Sequence, residues 1–402
     1  MNQIIFGLVA IICACLLAYT ITPPVRVLAF KIGAVDVPLD GRRIHKKPIP
    51  RIGGLAIYLS FTITTLLFCN PSPELLTIWL GGGVLVILGI IDDIYRLNAW
   101  LKFAVQLLVA GFAVWNGCVI DHINLGGMYV NLGYFSIPLS MLWIAGLTNA
   151  INLIDGLDGL ACGVSAISSL SLLAVVLLHG DVLSTVMCGI LFGSCLGFLP
   201  YNSNPARIFM GDTGALFLGF TLAVLSVHGV FKMHAVLSFI TPILIFAFPI
   251  FDAAFAIVRR VVAGKSPFSP DRGHIHHRLI DMGFTQKESV KILYAICGIL
   301  GLIAVFCNEA MFGEMRILKT VSIAAIAVVV FALNFIILRN PEMRRHSGLT
   351  EDDMTISDYI KELAPEQAKK IEEHNGASEE EVKKIEEEIG KTEENLSGDK
   401  NE

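Results

Sequence analysis

Five carboxylates, Asp92, Asp93, Asp155, Asp158 and Asp212, interrupt or border long apolar runs of this sequence. An ionisable side chain at membrane depth costs about 2.5–3.5 kcal/mol on insertion scales, so acids retained there point to function. Asp92 and Asp93 close one run in G-I-I-D-D-I-Y-R-L. Adjacent helical residues point about 100° apart, so one carboxylate can face a metal or a lysine while the other faces an acceptor. Lys102 begins the next run and can reach the same pocket. An ordinary acidic helix end beside Arg96 is the bland alternative, but acids at a helix C-terminus oppose the macrodipole.

Asn149, Asn152, Asp155 and Asp158 recur every three residues in N-A-I-N-L-I-D-G-L-D-G-L. If helical, they form a polar stripe on one face. Gly156 and Gly159 loosen the backbone and let a ligand approach. Such stripes can also glue helices together. Asp212 sits between Gly211 and Gly214 at the start of another run, in F-M-G-D-T-G. It reads as an N-cap, as a Mg²⁺ ligand beside a phosphate-binding helix N-terminus, or as both.

The last cluster is Arg272, His274, His276, His277 and Arg278, in D-R-G-H-I-H-H-R-L. Three histidines and two arginines within seven residues can bind the phosphates of a diphosphate. Zinc is the rival, disfavoured because no cysteine is local and the nearby acids suit a harder cation. Oxygen ligands, basic groups and apolar surroundings together suit phosphoryl transfer between a soluble and a lipid substrate, with Mg²⁺ bridging diphosphate oxygens. There is no Walker A loop and no kinase signature. An ion-coupled transporter is the alternative from another class, but it would place acids near the bilayer midplane in repeated halves, and no repeat is visible. A receptor or scaffold that docks through the tail is a third.

The elements that must position these groups are membrane spans. Of the 402 residues, 54% are hydrophobic and 16% charged, against roughly 25% charged in a soluble domain. Eleven apolar stretches centre near Ala14, Ser60, Leu85, Leu107, Trp143, Leu170, Gly189, Gly219, Ile245, Gly298 and Ala327. The first reads as an uncleaved span from Ile4 to about Ile21, with Pro23-Pro24 following it. The expected fold is therefore an all-α polytopic membrane protein. Arg26, Lys31, Arg42, Arg43, Lys46, Lys47 and Arg51 place the first loop in the cytoplasm, the N-terminus outside and the C-terminus inside. That count puts every polar cluster on the cytoplasmic face of a multi-pass protein of the cell membrane. On the opposite side, alternation around Gly126-Gly127 suggests a small β-hairpin.

Two domains are expected: a transmembrane catalytic domain over 1–340 and an acidic cytoplasmic tail over 341–402. The tail is rich in Glu and Lys and cannot bury a core. The cysteines lie mostly inside apolar runs and read as small buried hydrophobes.

At these residues the chain resembles the polyprenyl-phosphate N-acetylhexosamine-1-phosphate transferase superfamily, of the glycosyltransferase family 4 type. The resemblance runs roughly from Arg42 to Phe284 through K-K-P-I-P-R-I-G-G, D-D-I-Y, N-A-I-N-L-I-D-G-L-D-G, F-M-G-D-T-G and H-I-H-H-R. It implies that Asp92-Asp93 match the family's aspartate pair and Lys102 its lysine. Asn152, Asp155 and Asp158 match its central motif, Asp212 its magnesium aspartate, and His274, His276 and His277 its histidine loop. Asn202 matches a residue near the nucleotide. The broken histidine run is similar to the N-acetylglucosamine branch. Three adjacent histidines would mark the phospho-N-acetylmuramoyl-pentapeptide branch, which is the alternative.

The resemblance implies transfer of N-acetylglucosamine 1-phosphate from UDP-N-acetylglucosamine to undecaprenyl phosphate, with release of UMP, as the first membrane step of a cell-envelope polysaccharide or teichoic acid. Mg²⁺, with Mn²⁺ as a substitute, would sit on Asp212 with Asn152 or Asp155. Asp92 or Asp93 would orient or deprotonate the acceptor phosphate. Lys102, Arg272, Arg278 and the histidines would hold donor phosphates, with His276 among the catalytic groups. Asp158 and Asn202 would face the nucleotide or shape the pocket. A covalent phospho-aspartate on Asp93 is a variant. The expected partners are the UDP-sugar, the lipid and the membrane, with a homodimer as the assembly and no nucleic acid.

Overall fold

A computed structural model describes residues 3–37, 48–125, 128–231, 240–264, 266 and 273–310. Arg272, the first-loop bases Arg42, Arg43, Lys46 and Lys47, the span expected near Ala327 and the tail over 341–402 lie outside the described residues.

Twelve α-helices are described: α1 (Gln3–Ile32), α2 (Gly54–Phe68), α3 (Pro73–Tyr95), α4 (Ala99–Trp115), α5 (Ser136–Leu153), α6 (Leu160–His179), α7 (Val182–Asn202), α8 (Gly211–Ser226), α9 (Ile240–Ile245), α10 (Ala247–Val262), α11 (Ile275–Asp281) and α12 (Gln286–Ala310). Seven of the helical segments are long and apolar enough to cross a membrane, and α2 and α4 are shorter apolar helices. The chain is a multi-pass, all-α membrane protein. The first ten expected centres fall on helices, with Ile245 ending α9, directly before α10.

Local chemistry sets the helix ends. Ser72 accepts from Leu75 N at the start of α3, with Pro73 following it. Asn98 accepts from Trp100 N before α4, and Asp181 from Ser184 N before α7. The first helix differs from expectation, because α1 continues through Pro23 and Pro24 to Ile32. Each proline removes one intrahelical bond, and apolar packing against α7 and α2 holds the remainder in line.

Helix α8 is the axis of the bundle. Its apolar window, extended by a π-turn to Phe231, is 94% buried, against 22% for α1 at the periphery. It packs on α3, α5, α2 and α6. Glycines bring the backbones together where α8 begins. A Cβ on Gly54 would collide with Gly214, and one on Gly89 would collide with Thr213. Two small antiparallel pairs complete the fold: β1 (Val35–Asp36) with β2 (Ile49–Pro50), and β3 (His122–Leu125) with β4 (Met128–Asn131).

Candidate active site

The C-terminal ends of α3, α5 and α7 and the N-terminal ends of α4, α6, α8 and α12 meet at one end of the bundle. They enclose a cavity of about 420 Å³. Its wall includes Asp36, Arg51, Asn152, Asp155, Asp158, Asn202, Asn204, Asp212, His277 and Gln286.

Lys102, Asp92 and Asp93 are not themselves part of the cavity wall and adjoin it through Asp212. Lys102 Nζ lies 2.8 Å from Asp92 Oδ2 and 2.8 Å from Asp212 Oδ2, tying α3, α4 and α8 together. Asp92 Oδ1 also accepts from Leu97 N at 2.7 Å. Asp93 turns the other way, as the 100° offset requires. It accepts from Thr213 Oγ1 at 2.9 Å, Thr213 N at 3.2 Å and Asp212 N at 3.3 Å. The residue before α8, Met210, supplies no side-chain cap. Asp93 therefore serves from a neighbouring helix the orphan N–H groups at the start of α8, where a carboxylate also meets the positive end of the dipole. Its side chain is 1% exposed.

The expected polar stripe is split. Helix α5 ends at Leu153, so only Asn149 and Asn152 are helical, and Asp155 and Asp158 lie in the turns before α6. Asn149 is not part of the cavity wall and donates to Gln106 on α4 and to Ala145 O. The Asn152 amide interacts with the Asp212 carboxylate. Asp158 Oδ2 accepts from Asn204 Nδ2 at 2.9 Å and from Ala206 N at 3.1 Å, clamping the loop after α7. Asn204 Nδ2 also donates to Gln286 Oε1 at 2.8 Å. Asn202 is 2% exposed and donates to Ile208 O, while its Oδ1 has no partner. Asp155 accepts no hydrogen bond among the described residues and lines the cavity. Burial first, then the charges of Asp212 and Asp93, push its carboxyl up to about 8.

The two glycines of this segment admit protein side chains. A Cβ on Gly156 would collide with His276 Nε2. Gly159, at φ +80°, offers its carbonyl to the Tyr294 hydroxyl at 2.5 Å.

Of the histidine loop, His277 lines the cavity. His274 is buried and bonds through Nδ1 to Asp252 Oδ2 at 2.8 Å, and Ile275 N donates to Asp252 Oδ1 at 2.8 Å. His276 is 1% exposed, between His274 and His277 with ring centroids 5.6 and 4.4 Å away. Burial, and then the charge of His277, lower its pKa to about 4. Arg278 is exposed on α11 and is not part of the cavity wall.

Sequence reading did not select Asp36, Arg51, Asn204, Gln286 or Asp252. The nearest signal was the K-K-P-I-P-R-I-G-G segment, which carries Arg51. The donor set is oxygen from carboxylates and amides, with the Asp155 carboxylate and Asn202 Oδ1 lacking partners among the described residues. That chemistry fits a hard divalent cation. Among the described residues no three His, Cys, Asp or Glu side chains are grouped as a closed metal site.

The sequence profile of Glycosyl transferase family 4 matches residues 75–230. That stretch runs from α3 through α8 and includes Asp92, Asp93, Lys102, Asp155, Asp158 and Asp212. A probable undecaprenyl-phosphate N-acetylglucosaminyl 1-phosphate transferase of Bacillus subtilis is 43% identical over 306 residues, which is 75% of this chain and 85% of that protein. The chain belongs to glycosyl transferase family 4. A decaprenyl-phosphate N-acetylglucosaminephosphotransferase of Mycolicibacterium smegmatis is 34% identical over 362 residues, covering 82% of this chain and 88% of the relative. An undecaprenyl-phosphate alpha-N-acetylglucosaminyl 1-phosphate transferase of Escherichia coli K12 is 28% identical over 295 residues, covering 71% and 80%. As a member of this family the chain is an enzyme, a membrane-embedded transferase.

Proposed function

We propose that the enzyme transfers N-acetylglucosamine 1-phosphate from UDP-N-acetylglucosamine to a polyprenyl phosphate on the cytoplasmic face of the membrane. The observation that carries this reading is the placement of the cavity. Carboxylates, amides, an arginine and a histidine meet at one end of an apolar helical bundle, where a lipid phosphate and a water-soluble nucleotide can both arrive. The names of the relatives supply the acceptor class and the sugar. The basic first loop supplies the orientation.

The acceptor phosphate oxygen attacks the β-phosphorus of the donor. A new P–O bond forms, the bond to the UMP oxygen breaks, and a lipid diphospho-sugar remains. Asp212, Asp155 and Asn152 would hold Mg²⁺, which supplies Lewis-acid neutralisation of the diphosphate. Lys102 fixes Asp92 and Asp212 in place. Asp93 fixes the start of α8. Any proton that the acceptor phosphate still carries leaves to solvent, with Asp155 kept as a carboxylate ligand. A phosphate monoester already carries about −1.5 to −2 charge at pH 7, so positioning contributes more than a strong base. Asp158 and Asn204 shape the nucleotide end. With Asp93 engaged by α8, direct attack is favoured over a phospho-aspartate.

Purified protein in detergent, given Mg²⁺, polyprenyl phosphate and a panel of UDP-sugars, should release UMP fastest with UDP-N-acetylglucosamine. No UMP from any donor would overturn the activity. A preference for UDP-N-acetylmuramoyl-pentapeptide would overturn the sugar.

A further inference from the structure

The cavity has a charge imbalance. Its wall carries Asp36, Asp155, Asp158 and Asp212, yet Arg51 is the one lysine or arginine in that wall among the described residues. Lys102 already contacts two carboxylates at 2.8 Å. A nucleotide diphosphate entering this wall without a metal meets like charge unless a cationic side chain receives it.

Arg51 is held as such a donor. The β1–β2 pair leads directly into it, and Arg51 N donates to Ala34 O at 2.9 Å. On its other side Gly211, at φ +70°, lies so close to the Arg51 carbonyl that any Cβ there would collide. The backbone is thereby fixed between the first loop and the start of α8. The guanidinium is placed by charge: Nε lies 3.7 Å from Asp93 Oδ1, and one terminal nitrogen lies 3.7 Å from Asp36 Oδ1. Both separations exceed hydrogen-bond length. The fork is thus oriented by two carboxylates while its five N–H groups keep their capacity for a planar, doubly anionic ligand.

We propose that Arg51 is the anion anchor of the cavity, its guanidinium binding the diphosphate of the nucleotide donor, with Asp36 and Asp93 as its positioning residues. Arg51 shares the cavity wall with Asn202, Asn204 and Gln286, amides that suit a water-soluble molecule, and on that ground the proposal gives Arg51 to the donor, with the acceptor KM as the check. The proposal rests on the reading that the donor is a UDP-sugar, and its test separates the two.

UDP and uridine are titrated into the purified full-length protein, without added metal, for wild type, Arg51→Gln and Arg51→Met. The methionine keeps an apolar stem in the buried part of the site, so folding can be retained if glutamine fails, and thermal unfolding verifies each variant. Wild type should bind UDP more tightly than uridine. Either variant should lose about tenfold in UDP affinity while uridine binding stays within about twofold. In turnover, the donor KM should rise about tenfold with the acceptor KM unchanged. Asp36→Asn should raise the donor KM by a smaller factor, and add nothing in the Arg51→Gln background, because it acts through Arg51. An unchanged ratio of UDP to uridine affinity in a folded variant overturns the anchor. So does a rise confined to the acceptor KM. If wild type turns over no UDP-sugar, the functional reading fails, and the binding ratio still decides the role of Arg51.

Discussion

The two ends of the helical bundle both gather charge, and they use it differently. At the end away from the cavity, His228 Nε2 meets Glu74 Oε1 at 2.7 Å, and Asp181 caps α7 and accepts from Ser184 Oγ at 2.6 Å. These contacts join the starts of α3 and α7 to the π-turn that extends α8, and each carboxylate has a partner of its own. At the cavity end, Asp92, Asp93 and Lys102 are equally well partnered. Beside them, among the described residues, stand Asp155 without a hydrogen bond to its side chain, Asn202 Oδ1 without a partner, and Arg51 with two long ion pairs. His228 Nδ1 at the far end is likewise without a hydrogen bond among the described residues, 3.9 Å from Asp181 Oδ2, so an unsatisfied atom alone does not mark a site. What separates the two ends is that at the cavity end an unpartnered carboxylate, an amide oxygen and an arginine share one cavity wall.

Substitutions at the two ends break or sharpen that contrast. The largest effect belongs to Asp212→Asn, which should reduce UMP release by about 10³-fold or more with the unfolding transition retained. Activity above a tenth of wild type would remove Asp212 from the machinery. Lys102→Met follows. It leaves Asp92 and Asp212 facing each other unpaired and should lower turnover about 10²-fold. It should also cost roughly 1–3 kcal/mol of stability, less than a fully buried pair, because the Lys102 side chain is 21% exposed. Gly156→Ala comes third. The new methyl displaces His276, and turnover should fall on the order of tenfold with thermal stability of the spans nearly unchanged, a result that tests whether the histidine loop must sit against this turn.

At the far end Glu74→Gln should lower stability by about 0.5–1 kcal/mol and leave UMP release within about twofold of wild type. A large loss of turnover there would erase the distinction between the ends. The smallest effect is on acid stability. His276 has its pKa lowered from 6.5 to about 4 by burial and then by His277. The unfolded chain therefore takes up a proton that the folded chain refuses, and stability declines as pH falls from 6.5 towards 4 and is flat above. Unfolding midpoints from pH 7.5 to 4.5 should show a shallower decline in His276→Gln; equal slopes would dismiss the assignment.

The sequence disclosed the acids, because carboxylates in apolar runs are conspicuous, and it disclosed the helices that carry them. Asp92, Asp212 and Lys102 meet in one place, with Asn152 against Asp212. What it concealed lies in the connecting segments. Arg51, Asp36, Asn204 and Gln286 sit in polar surroundings where a charged or amide side chain attracts no notice, and only the packing of loops on the bundle gathers them. The three-residue period from Asn149 to Asp158 suggested one helical face, but Gly156 and Gly159 follow the end of α5 and redirect the chain. Those glycines were expected to admit a ligand; Gly156 borders both the cavity and His276, and Gly159 receives Tyr294. That Asp93 would hold the start of α8 was also hidden, because the sequence does not show that α8 starts without a side-chain cap of its own.

Where α8 begins, backbone meets backbone at Gly54–Gly214 and Gly89–Thr213, with no side chain between to act as a spring. A molecule that presses on Asp212 therefore meets a wall that cannot yield, and mismatch in shape appears as lost affinity instead of being absorbed. Tolerance for different head groups must then reside in the segment carrying His277, the wall an inhibitor designer can expect to bend.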